Sequence, residues 1–161
     1  MRTLSAIVAA WSLACLCGSG ELSAQDKAVA PRFDIESKLD VYPQDTPEKT
    51  LKSVVQALEK GEYAYVLAHL ADPGFVDAML KQNKLSFKEF VQEVKQTAKE
   101  NPEQLREMRK FDLEGEWTVT DTTATARAKS LPGRAIIMLK IGDRWFMSNE
   151  RTAPSKGKST P

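Results

Sequence analysis

Thiols are all but absent from this chain. Its two cysteines, Cys15 and Cys17, both lie close to the N-terminus, so the rest of the chain can form neither a disulfide nor a thiolate metal site. There is one histidine, His69, which leaves a histidine-rich metal centre without ligands and a nucleophile–histidine relay without an evident partner. An excess of one charge is also missing. Lys and Arg number 23 against 22 Asp and Glu, a net charge of +1, and such a balance does not attract nucleic acid. No glycine-rich loop opens a helix to cradle phosphates, and no serine stands in a nucleophile-elbow sequence. These absences leave no residue assigned to catalysis, to a cofactor or to a metal.

The one long apolar run, "LSAIVAAWSLACL" from Leu4 to Leu16, is too short to cross a bilayer comfortably. With Arg2 before it and the small residue Ala24 after "CGSGELSA", it reads as an export signal cleaved between Ala24 and Gln25. The expected destination is periplasmic or secreted, with no transmembrane segment in the mature chain. A competing reading takes "SLAC" as a loose lipoprotein box, with Cys15 acylated and the protein tethered to a membrane. Residues 25–45 lack a helical stripe and contain Pro31 and Pro43. They are expected to form a linker, with a docked segment around Phe33, Ile35 and Leu39. Residues 152–161 are expected to be a disordered tail. One domain remains, residues 46–151.

Helical signals fill its first half. Thr46 is a good N-cap and Pro47 suits the first helical position. Leu51, Val54, Val55 and Leu58 recur at i, i+3, i+4 and i+7, a stripe that must face a core. Gly61 ends it. Tyr63, Val66, Leu67 and Leu70 mark a second helix, which stops at Pro73, and "FVDAML" a short apolar turn or helix. In "LSFKEF", Ser86 and Glu89 form a capping box and Leu85 and Phe90 the staple across it. Asn101 and Pro102 close that helix and open another with Leu105 and Met108.

After Lys110 the period is read as two. Phe111, Leu113, Trp117 and Val119 alternate with Asp112, Glu114, Glu116 and Thr118, predicting a half-buried strand. "TATARAK" alternates alanines with polar residues, "LPGR" is a turn, and "AIIMLKI" and "RWFMSN" flank a two-residue hairpin at Gly142 and Asp143. Helices first, then an antiparallel meander, make an α+β domain.

The opening "TPEKTLKSVVQALEKGEYAYVLAHL" and the closing hairpin "AIIMLKIGDRWFMSN" resemble those of the nuclear transport factor 2-like superfamily over residues 46–150. The resemblance implies helices packed in the concavity of a curved antiparallel sheet of about four strands. Such a cone often carries a cavity at its open end. It also implies a competing function, a small cavity enzyme of the isomerase or dehydratase type, although no catalytic position of such enzymes matches a residue here.

Tyr63, His69, Asp112, Trp117 and Trp145 are the candidate pocket-lining residues. Against His69 stands helix geometry. At about 100° per residue it falls roughly 110° from the centre of its stripe, on what should be an outer face. Asp112, Glu114 and Glu116 should share one solvated strand face, and Trp117 and Trp145 are equally suited to core packing. The five apolar residues "AIIML" leave the outer sheet face in need of a cover, for which a second copy of the chain is one expectation and residues 25–45 the other. The function read from the sequence is non-enzymatic binding, of a small apolar ligand in the cone or of another protein through the sheet.

Overall fold

The computed structural model describes residues 30–149; the expected export signal, the acylation site at Cys15 and the tail at 152–161 lie outside them. Five helices precede a four-stranded antiparallel sheet that is curved and unclosed, and the helices pack against it. The α+β expectation holds.

Local signals set most element ends. Helix α1 (Pro47–Glu59) starts at Thr46, whose hydroxyl accepts from the Lys49 amide at 3.2 Å. The short α2 (Tyr63–Tyr65) runs directly into a π-helical turn, Val66–Leu70, closed by the Ala71 amide donating to the Val66 carbonyl at 2.8 Å. Helix α3 (Pro73–Asn83) is capped by Asp72, and α4 (Phe87–Glu100) by the complete Ser86–Glu89 capping box. Helix α5 spans Glu103–Glu114.

Here one expectation fails. The helical period does not end at Lys110. Leu105, Met108 and Phe111 continue at a spacing of three, Phe111 is buried, and Leu113 is 85 % exposed. The alternation seen in the sequence was a coincidence of the last helical turn. The switch is Gly115, whose amide donates to the Phe111 carbonyl at 2.9 Å. A Cβ there would stand 2.3 Å from that same oxygen, so any side chain would collide with the end of α5. Asp112 and Glu114 therefore sit on the exposed side of α5, while Glu116 alone of the three is on a strand.

Strands β1 (Glu116–Val119), β2 (Thr123–Arg127), β3 (Ile136–Ile141) and β4 (Arg144–Met147) pair in sequence order. Gly142, at φ +61°, and Asp143 make the two-residue turn between β3 and β4. Trp117, Ala124, Ala126, Ile136, Met138, Trp145 and Met147 share the face turned to the helices, where they meet Leu51, Val55 and Phe111.

The segment read as a linker is, in its described part, a strap packed across the helices. Arg32 and Ile35 exchange backbone hydrogen bonds around Phe33 and Asp34, which both have positive φ, +54° and +60°. Such a turn is costly for a residue as bulky as phenylalanine. Phe33 offsets the cost by stacking on Phe87, with ring centroids 4.0 Å apart. Farther along, Tyr42 and Gln44 are 1 % and 2 % exposed. Gln44 also covers the free edge of β4, its carbonyl accepting from the Trp145 amide at 2.9 Å and its side-chain amide donating to the Trp145 carbonyl at 2.8 Å.

Candidate functional site

Three hydrophobic clusters fill the described domain, one under the sheet, one under the strap and one among the π turn, α3 and α4. They do not close on one another. Between them lies a cavity of about 470 Å³, within the range of small-molecule sites. Its inner wall is Leu58 of α1, Val66 and Leu67 of the π turn, and Ala71. Phe90, Val94 and Ala98 of α4 face Leu105 and Met108 of α5, and Ile136 and Met147 supply the sheet end. Polar residues collect toward the mouth, where Thr97, Asn101 and Asn149 are exposed. Helices α4 and α5 meet at Asn101–Pro102, and both they and this corner contribute to the lining.

The electrostatics are simple. Among the described residues the lining has no carboxylate, no lysine, no arginine and no histidine. Tyr63 contributes the one phenol. An ion entering this space would lose water and gain no countercharge, a large cost. An uncharged apolar group would lose only its contact with water, a favourable exchange.

Of the five candidate pocket residues, the structure brings Tyr63 alone to the cavity. Trp145 is buried in the core beneath the sheet and Trp117 packs at its edge, so both fill the cone rather than line a space within it. Asp112 is exposed on α5. His69 departs furthest from expectation: it is not on an outer face but 2 % exposed.

The reason is the strap. Tyr65 through Ala71 are seven consecutive buried residues, so this turn has no solvent face. Val66, Leu67 and Ala71 look into the cavity, while Tyr65 and His69 look to the strap. The His69 Nε2–H donates to the Ile35 carbonyl at 2.8 Å, its own carbonyl accepts from the Gln44 side chain at 2.8 Å, and the Lys38 amide donates to the Tyr65 hydroxyl at 3.0 Å. Burial pushes the His69 imidazole below its ordinary pKa; the Ile35 carbonyl opposes this, and the Arg144 and Arg32 guanidiniums add to it. Burial likewise raises the Tyr65 phenol.

Sequence reasoning missed Phe90, Met108 and Met147 as cavity residues, having read Phe90 as the staple of the capping box and Met108 as an apolar position of the next helix. The signal available was the Asn-Pro break at 101–102, which separates α4 from α5 and itself contributes to the lining. The outer face of the sheet is buried at its centre and open toward its ends, where Glu116, Thr118, Arg127 and Ile141 are exposed. Ile137 and Phe146 are 3 % and 4 % exposed, and of its apolar residues Ile141, at 46 %, is the most open.

No protein-family model matches the chain, and no curated protein or solved structure matches it either.

Proposed function

We propose that this chain is a binding protein for an uncharged, predominantly apolar small molecule held between α4, α5 and the sheet end. The carrying observation is the cavity of about 470 Å³ whose twenty described lining residues include no charged side chain. General acid–base chemistry of the isomerase or dehydratase kind calls for a convergent acid and base. The described lining offers one phenol toward that requirement, whereas fourteen of its twenty residues are apolar and suit a hydrocarbon body. The element order and the curved sheet agree with the nuclear transport factor 2-like cone, which remains part of this proposal, as does export of the protein.

The test is titration with 1-N-phenylnaphthylamine, an uncharged apolar fluorophore, followed by its blue shift and enhancement. Saturable binding to the native chain is expected, and Ala98→Trp, which places an indole in the cavity from α4, should abolish it while leaving the melting temperature near the native value. Failure of the native chain to bind, or equal binding by a folded Ala98→Trp, overturns the proposal. The sheet-mediated homodimer belongs to the same reading and is checked by sedimentation at micromolar concentration; monomer alone would remove it.

A further inference from the structure

We infer that His69 is an acid-sensitive latch that holds the strap, residues 30–45, over the cavity's back wall, so that acidification loosens the strap and weakens ligand binding. The inference concerns regulation of the proposed binding site and rests on that reading for its second half alone.

The latch is geometric first. His69 grips the strap twice, through its ring to the Ile35 carbonyl and through its own carbonyl to the Gln44 side chain. The strap's other tethers here are the Lys38 amide to Tyr65 and the tilted contact of the Tyr42 and Tyr65 rings, with centroids 4.7 Å apart. Its first residues are held by Arg32, which donates to the Pro73 carbonyl at 3.0 Å and pairs with Asp77. On the opposite side of the same π-helical turn, Val66, Leu67 and Ala71 form cavity wall. A wide turn of this kind often marks a functional position in a helix. Anything that lifts the strap uncovers one side of a turn whose other side contacts the ligand.

The groups facing His69 explain why a proton would do this. From its own helix comes the Tyr65 ring, at 5.1 Å; from the strap come Arg32 and the Ile35 carbonyl, and from β4 comes Arg144. Among the described residues both charged neighbours are cations, Arg32 with Asp77 as its own partner, and no carboxylate acts on the ring. Arg144 itself is half-buried, over the Phe146 ring, with Gln44 rather than an acid beside it. Protonated His69 would be a buried cation near two others, and the relief available to it is hydration, which requires the strap to move.

The sign follows from the depressed pKa. Above the unfolded value of about 6.5 both states hold His69 neutral and the closed state has its full stability. As pH falls through 6.5 toward the lower folded value, the open state takes up a proton that the closed state resists, so closure weakens. Linkage then requires the ligand, by favouring the closed state, to depress the His69 pKa further.

The lone histidine makes the test clean. Its imidazole NMR signals in the full-length chain are unambiguous, and they should titrate below 6.5. Hydrogen exchange of the 30–45 amides, corrected for the intrinsic rate at each pH, should accelerate between pH 7.5 and 5.0 in step with that titration. Affinity for 1-N-phenylnaphthylamine should fall over the same interval. His69→Gln keeps a donor for the Ile35 carbonyl but cannot take the proton, so its exchange and affinity should be flat. The latch is overturned if His69 titrates at its ordinary value, if strap protection does not change, or if His69→Gln shows the same change as the native chain. Should that variant not fold, titration and exchange of the native chain decide alone. Absence of probe binding at every pH would sink the cavity reading, while the exchange data would still decide the latch.

Discussion

Replacing Gly115 by alanine tests the joint between the helical and sheet halves of the domain. The added methyl would lie 2.3 Å from the Phe111 carbonyl oxygen, 3.3 Å from its carbon and 3.5 Å from the Ala126 Cβ. The first two are backbone atoms at the end of α5 and the third is a β2 core residue, so no flexible side chain can yield. Overpacking of this sort costs about 1–3 kcal/mol. Relief by rotating the chain would sacrifice the Gly115–Phe111 hydrogen bond, about 0.5–1.5 kcal/mol. Reduced freedom of the unfolded chain gives back about 0.4–1 kcal/mol. The expected net loss is about 1–3 kcal/mol, which for a domain of this size lowers the melting temperature by roughly 3–12 °C. Gly74→Ala is the control. It sits in the first turn of α3, where the nearest atom to a new Cβ is 3.4 Å away, and it should be neutral or stabilising by up to about 1 kcal/mol. Urea unfolding of both variants measures the difference. A neutral Gly115→Ala would refute the placement of the helix end against the sheet.

Other expectations are quickly checked. Leu51 is 0 % exposed among Val55, Phe111, Met138 and Trp145, so Leu51→Ala should cost about 2–5 kcal/mol by chemical denaturation; Leu58→Ala, beside existing empty space, should cost less. Ser86→Ala removes one arm of the capping box and should cost about 0.5–2 kcal/mol, with faster amide exchange confined to the first turn of α4. Val55→Asp should prevent folding, because an unpaired carboxylate would enter the core, and far-UV circular dichroism would show it.

What was legible in the sequence was local. The Thr46–Pro47 start, the Ser86–Glu89 box and the Gly142–Asp143 hairpin are each specified by residues within a turn of one another, and each is present. The strand beginning at Phe111 was misplaced because the last turn of an amphipathic helix alternates briefly like a strand. Leu113 shows the error, since a side chain expected in the core is almost fully exposed. The burial of His69 could not be read from helix periodicity, because a helical wheel assumes one solvent face. Here the second face is covered by Ile35, Tyr42 and Gln44, which come from a proline-punctuated segment with no period of its own. A cavity was expected, but most of its lining was misread for a related reason. Its walls come from α1, α4, α5 and the sheet end, segments far apart in the chain, and the tryptophans proposed to line it instead pack in the core beneath the sheet.

The central claim is that an empty apolar space exists between α4, α5 and the sheet end. Xenon binds such spaces and avoids polar, water-filled ones. A crystal of the protein pressurised with xenon should show an anomalous peak between Leu67, Phe90 and Met108. Ordered water at that position, or side chains collapsed across it with no xenon bound, would contradict the account.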